Sequence, residues 1–203
     1  MKKIVKFFPK NIVNGYHKIR RTIRSWWELP EFVYIGNARV PAKNWMMHRQ
    51  IFGGGKLVLE YERELIEEAK KFMQRGIFFD IGAGVGYWSY IFASLGCETY
   101  AYETDKELQE FIKNVAQRNN LPIKVFGTFE KFGDVIPDFV KIDTDGGEEK
   151  IIMENLDVLA SAKIGLALEI RNETLFLLDE LKKIGYKETK RFGEGDYFLF
   201  LKK

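Results

Sequence analysis

Residues 77–87, IFFDIGAGVGY, are the stretch on which the reading of this chain turns. An apolar run ends at Asp80, glycines follow at Gly82, Gly84 and Gly86, and an amphipathic segment opens at Tyr87. That succession predicts a buried strand, a tight turn and the first turn of a helix. It is how an α/β domain offers backbone N–H groups and a positive helix end to a ligand at the carboxyl edge of a parallel sheet. A nucleotide-like ligand is therefore expected. The dinucleotide fingerprint G-x-G-x-x-G needs its third glycine where helix and strand pack closely. Counted from Gly82 that position is Tyr87, which is far too bulky.

Outward from the glycine loop, strand-like and helix-like segments alternate. Residues 61–75 predict a helix with Leu65, Ile66, Ala69, Phe72 and Met73 on one face and Gly76 as its stop. Residues 87–95 predict the crossover helix and 97–103 the second strand. Thr104-Asp105-Lys106-Glu107 matches a capping box that opens a helix to Asn119. Strands follow at 123–126 and 138–143, a helix from Glu148 to Ala160, a strand at 164–170 and a helix at 174–185. The final strands, 186–192 and 197–201, are joined by Gly193-Glu194-Gly195 with no helix between them, so they must pair antiparallel.

Carboxylates recur where these strands end. Glu103 closes the second strand 21 residues after Gly82, and Asp143, Asp145 and Glu148 crowd the stretch KIDTDGGE beyond the fourth. Three acids at a carboxyl edge could hold a divalent metal, orient a cofactor or supply a general base; Glu148 equally suits the N-terminus of the helix it opens, as a solvated acid. The G-x-G-x-G loop with Asp80 before it and Glu103 after it resembles the S-adenosylmethionine site of Rossmann-like methyltransferases. Together, YERELIEEAKKFMQRGIFFDIGAGVGYWS, YAYETD, KIDTDGGEEKIIM and LALEIR resemble the FkbM family of S-adenosylmethionine-dependent methyltransferases over about residues 61–175. The chain departs from that pattern at Gly84 (for Asn), Thr104 (for Pro), Asp145 (for Glu) and Gly147 (for Ala).

The resemblance implies a Rossmann-like α/β fold, with a central, mostly parallel sheet finished by an antiparallel C-terminal hairpin over residues 61–203. It implies S-adenosylmethionine as cofactor, held by Asp80, Gly82, Ala83, Gly84, Gly86, Glu103, Thr104, Thr128 and Asp143. Asp143, Asp145 and Glu169 become the candidate catalytic carboxylates, with no metal ligand set assigned. The implied reaction is methyl transfer to oxygen, on a sugar, glycan or similar small hydroxylated acceptor. His48, in the irregular stretch 43–56, is an outside candidate for the base. Two other classes share parts of this pattern. A nicotinamide oxidoreductase is opposed by Tyr87 and the terminal hairpin, and a non-catalytic membrane- or nucleic-acid-binding module is opposed by the placed acids Asp80 and Glu103.

Composition sets the outer bounds. The 203 residues are 46% hydrophobic and 30% charged, ordinary for a soluble globular protein. The single cysteine, Cys97, can form no internal disulfide, which fits a reducing, cytoplasmic compartment and a role as a small buried hydrophobe. No apolar run approaches the ~20 residues of a membrane span. The net charge of +3 conceals an asymmetry: residues 1–60 carry twelve Lys/Arg and three acids, net +9, and residues 61–203 carry net −6. In 11–27, Ile12, Tyr16, Ile19, Ile23, Trp26 and Trp27 recur at helical spacing among Lys18, Arg20, Arg21 and Arg24. This basic amphipathic helix suits docking on its own domain, an anionic membrane surface, or an acidic partner such as a phosphorylated glycan carrier or nucleic acid. The membrane surface leads the functional readings, giving a cytoplasmic protein peripheral to the membrane. Residues 31–41, EFVYIGNARVP, predict a hairpin turning at Gly36-Asn37.

Overall fold

A computed structural model describes residues 31–42, 62–192 and 197–202. The helix expected at 11–27, the loop at 43–56 and His48 lie outside the described residues.

The strand read from IFFDI is the centre of the molecule. β3 (Gly76–Ile81) lies between β4 (Cys97–Tyr102) and β6 (Phe139–Ile142), and pairs in parallel with both. β5 (Ile123–Phe126) adds in parallel outside β4, and β7 (Gly165–Glu169) outside β6. The chain ends in β8 (Tyr186–Phe192) and β9 (Tyr197–Lys202), with β9 inserted antiparallel between β7 and β8. The seven-stranded order is β5-β4-β3-β6-β7-β9-β8. Progress away from β3 reverses between β5 and β6, so a switch-point crevice opens between the carboxyl ends of β3 and β6.

Side chains alternate across β3 and so divide the core in two. Phe78 packs with Trp88, Phe92, Leu65 and Phe139 under α1 (Arg63–Phe72) and α2 (Tyr87–Ser94), and its ring stacks on Phe92 at 4.3 Å between centroids. Phe79 and Ile81 face the other layer, where Ile151, Ile152, Leu159, Leu177 and Leu181 descend from α4 (Glu148–Met153), α5 (Leu156–Ser161) and α6 (Leu177–Lys183). α3 (Lys106–Arg118) lies on the α2 side, where Phe111 and Ile112 share a cluster with Tyr90 and Ala101. The hairpin of β1 (Phe32–Ile35) and β2 (Ala38–Pro41) inserts Ile35, Ala38 and Val40 into that cluster. It is pinned by the Asn37 N–H on Ser94 Oγ at 2.8 Å and the Arg39 N–H on Asn119 Oδ1 at 2.8 Å. Cys97 is buried at the start of β4. Among the described residues no helix is long and apolar enough to cross a membrane.

Three local expectations change. Asp105, not Thr104, caps α3: its Oδ1 accepts the N–H groups of Glu107 and Leu108, because Asp105 is extended at φ −74°, ψ 118° and starts the helix one residue later. The single helix expected from Glu148 to Ala160 is broken at Asn155. That side chain accepts the Phe132 N–H and donates to the Ile151 carbonyl, so local side-chain bonds displace the helical ladder there. The helix expected at 174–185 starts at Leu177, after a 3-10 turn over Asn172–Thr174 closed by the Arg171 N–H on Thr174 Oγ1.

Candidate functional site

A cavity of about 670 Å³ opens over the carboxyl ends of β3, β4, β6 and β7. One wall is the glycine loop. Gly82 has φ +74°, and a Cβ there would lie 1.8 Å from the Asp143 carbonyl oxygen, so only glycine lets the loop cross the end of β6 this closely. Gly86 caps α2 in the left-handed region at φ +84°.

Glu103 ties the loop to the next strand. Its Oε2 accepts the Gly84 N–H at 2.7 Å and its Oε1 accepts the Asp105 N–H at 2.9 Å. Beyond it, Thr104, Leu108, Gly127, Thr128 and Phe129 continue the wall over β4 and β5, with Tyr102 beneath. The Tyr102 ring meets Phe129 edge-on at 5.0 Å and stacks on Phe126 at 5.2 Å, a rigid aromatic floor suited to a planar heterocycle.

At the switch point the wall is ionic. Lys141 rises from the otherwise apolar β6, and its Nζ donates to the Gly82 carbonyl at 2.7 Å, with Asp80 Oδ1 at 3.7 Å and Asp143 Oδ2 at 3.6 Å. Burial alone would depress the Lys141 pKa, but Asp143, Asp80 and Glu62 outweigh it and raise it. Asp80 itself is fully buried and does not reach the cavity. Its Oδ2 accepts the Ser89 N–H at 3.0 Å and Oγ–H at 2.6 Å, which anchors the first turn of α2 below the loop. Desolvation pushes its pKa up against Lys141 and Ser89.

Beyond β6 and β7 the carboxylates crowd one another. Glu169 is pushed up to about 7, by burial first and then by the adjacent, hydrogen-bonded Asp143, against the pull of Arg171. The guanidinium of Arg171 spans Glu169 Oε2 at 3.1 Å and Asp145 Oδ1 at 3.0 Å. Asp143, Glu148 and Glu169 bring one carboxylate oxygen each within 4.8 Å of one another, room for an oxygen-liganded cation. Glu148 is nevertheless occupied in shaping its turn, accepting the Thr144 N–H at 2.6 Å, the Thr144 Oγ–H at 2.9 Å and the Gly146 N–H at 3.1 Å. Asp145 stands in the left-handed region at φ 57° with a side chain 95% exposed.

Of the site residues expected from sequence, Gly82, Ala83, Gly84, Glu103, Thr104, Thr128, Asp143, Asp145 and Glu169 line this one cavity, and Asp80 and Gly86 sit behind it. Glu62, Trp88, Tyr102, Phe129 and Lys141 also line it and had no assigned role. Lys141 carried a legible signal, a charge inside a strand otherwise wholly apolar.

No protein-family model matches the chain, and no curated protein matches it. Solved structures do share its fold. The precorrin-6y C5,15-methyltransferase from Geobacter metallireducens GS-15 superimposes with a TM-score of 0.52 at 20% identity, over 68% of this chain and 84% of that one. The PH0226 protein from Pyrococcus horikoshii OT3 gives a TM-score of 0.54 at 14% identity, over 89% and 99%. The Burkholderia thailandensis 1,6-didemethyltoxoflavin-N1-methyltransferase, solved with 1,6-didemethyltoxoflavin and S-adenosylhomocysteine, gives 0.51 at 14% identity, over 70% and 76%. The fold is thus the Rossmann-like fold of methyltransferases, with its parallel sheet and antiparallel C-terminal strands.

Proposed function

We propose that this chain is an S-adenosylmethionine-dependent methyltransferase that transfers a methyl group to a hydroxyl of a small, neutral, glycan-like acceptor. The observation that carries the reading is the charge of the cavity at the glycine loop. Among the described residues, Glu62, Glu103, Asp143, Asp145 and Glu169 line it against Lys141 and Lys150. Such a wall repels the pyrophosphate of a nicotinamide dinucleotide and suits a cofactor whose charged centre is a sulfonium. The volume and the aromatic floor fit a nucleoside, and the Glu103 carboxylate has lone pairs to spare for ribose hydroxyls.

When bound, the cofactor supplies an electrophilic methyl group. The chain supplies the rest. The residues beyond β6 and β7 align the acceptor oxygen. Glu169, poised near neutrality by burial and by Asp143, accepts the hydroxyl proton, and Arg171 steadies the carboxylate. The resemblance to the FkbM family in KIDTDGGE and LALEIR favours oxygen as the acceptor atom. The basic segment 11–27 is assigned to an anionic membrane surface where a lipid-linked or surface-bound acceptor would be met.

Calorimetry with S-adenosylhomocysteine and with NAD tests the cofactor directly. S-adenosylhomocysteine should bind and NAD should not; the reverse result would make the chain an oxidoreductase. Transfer of a labelled methyl group to extracted glycans, glycolipids and RNA then tests the acceptor, with the glycan fractions expected to take label.

A further inference from the structure

Glu62 stands one residue before α1, and with Trp88 it lines the cavity on the switch-point side. Its Oε2 accepts the Trp88 indole N–H at 2.5 Å. Lys141, Asp143 and Asp80 all act on it through their charges. Among the described residues no cation lies within ion-pair distance of it, since Lys141 is spent on Gly82, Asp80 and Asp143. Among the described residues, three carboxylates therefore share one ammonium at this end of the cavity, and Glu62 is the lining one of the three whose hydrogen bond comes from a neutral donor. Burial pushes its pKa up, against Lys141 and Trp88, as expected of a carboxylate short of positive charge.

The geometry points to Glu62 as the acceptor for a ligand ammonium at the β3–β6 end of the cavity. Resting on the methyltransferase reading, that ammonium is the α-amino group of the cofactor's methionine moiety. The strand order gives the polarity of the site. Glu103 follows β4 on one side of β3, while Lys141 and Asp143 belong to β6 on the other, two strand spacings or roughly 10 Å apart. A nucleoside amino acid laid across the glycine loop with its ribose at Glu103 directs its amino-acid end to the Glu62 side. An ammonium offers N–H donors that match a carboxylate, whereas a sulfonium offers none, so the contact reads the amino-acid part of the ligand and not its sulfur. The indole fixes which oxygen is left for the ligand and holds the carboxylate in one orientation.

The test uses two ligands that differ in this part alone. S-adenosylhomocysteine carries the amino-acid moiety, and 5′-methylthioadenosine lacks it but keeps adenine, ribose and sulfur. In calorimetry on the full chain, Glu62→Gln should weaken S-adenosylhomocysteine by roughly tenfold or more and change 5′-methylthioadenosine by less than about twofold. Trp88→Phe keeps the ring stack and removes the N–H, and should show the same selectivity at roughly threefold. If Glu62→Gln does not fold, the Trp88→Phe result decides. Equal weakening of both ligands, or of neither, overturns the assignment and leaves the methyltransferase reading standing. A wild-type chain that binds neither ligand overturns both.

Discussion

The carboxylate that ends β4 and those that end β6 and β7 occupy opposite surroundings within one cavity. Glu103 is held by neutral donors, the N–H groups of Gly84 and Asp105, which fix its position without supplying an opposing charge. Asp143 and Glu169 are held instead by each other and by cations, Lys141 on one side and Arg171 on the other, with Glu169 displaced to about 7. Backbone donors make a rigid cradle. Crowded like charges raise the free energy of the folded chain, and such arrangements are where proton transfer is tuned. On the proposed function the β4 edge binds and the β6–β7 edge reacts.

The largest effect that would break this comparison is on turnover. Glu169→Gln should lower the rate constant by roughly 10²–10⁴-fold, the range of a lost general base, while S-adenosylhomocysteine binds within about twofold of wild type. The wild-type rate should rise with pH through about 7 as Glu169 loses its proton, and the variant should lose that inflection. An unchanged rate would return Glu169 to a structural role. Stability carries the opposite sign. Because the folded value, about 7, exceeds the unfolded 4.5, the folded chain holds a proton that the unfolded chain releases, and stability falls as pH rises from 4.5 through 7. Gln removes that slope, so its melting temperature relative to wild type should be higher at pH 8 than at pH 4.

On the binding side, Gly82→Ala meets both left-handed strain and the Asp143 carbonyl, neither of which a rotamer change relieves. A loss of roughly 2–4 kcal/mol in chemical denaturation is expected. Gly96→Ala, also at positive φ but with nothing within 4 Å of the added carbon, should cost only the strain. Equal costs at the two positions would mean that the loop is not tied to β6. Glu103→Ala should weaken S-adenosylhomocysteine by about 1.5–3 kcal/mol through lost charge-assisted bonds. Unchanged affinity in a folded variant would remove the ribose assignment.

How far the sequence could be read follows the same division. The β-strands, the loop and the terminal hairpin are periodic or punctuated by glycine, so IFFDI, the 82-84-86 spacing and Gly193-Glu194-Gly195 were enough for the strands and the hairpin, while their assembly into one mostly parallel sheet followed from the family resemblance. Which acid faces the cavity was not legible, because Asp80 and Glu103 look alike as acids closing apolar runs. Whether each turns toward Ser89 or toward the glycine loop depends on α2 and on residues far away in the chain. Glu62 was hidden for a similar reason: its value lies in an indole 26 residues on. The break at Asn155 escaped because Ile151, Ile152, Leu156 and Leu159 keep a helical period straight through it, and the competing bond goes to Phe132.

The smallest expected effect separates two acids that sequence places side by side. Asp145 and Asp143 differ by two positions in KIDTDGGE, yet the Asp145 side chain is 95% exposed, where Asp143 is 22% exposed and within 3.6 Å of Lys141. Asn is, like Asp, one of the few residues that tolerate the left-handed backbone at Asp145, so Asp145→Asn keeps the turn and removes only the charge. What is lost is an exposed pair with Arg171, generally worth ~0–1 kcal/mol. Arg171 keeps Glu169 as its partner, and the Glu148 bonds that shape the turn run to Thr144 and Gly146. Stability within about 0.5 kcal/mol of wild type and turnover within about threefold are therefore expected, the latter reflecting a small shift in the Glu169 titration as Arg171 attends to it alone. A fall in turnover comparable to that of Glu169→Gln, at unchanged cofactor affinity, would make Asp145 a catalytic carboxylate and dissolve the boundary between an inner reacting pair and an outer solvated charge.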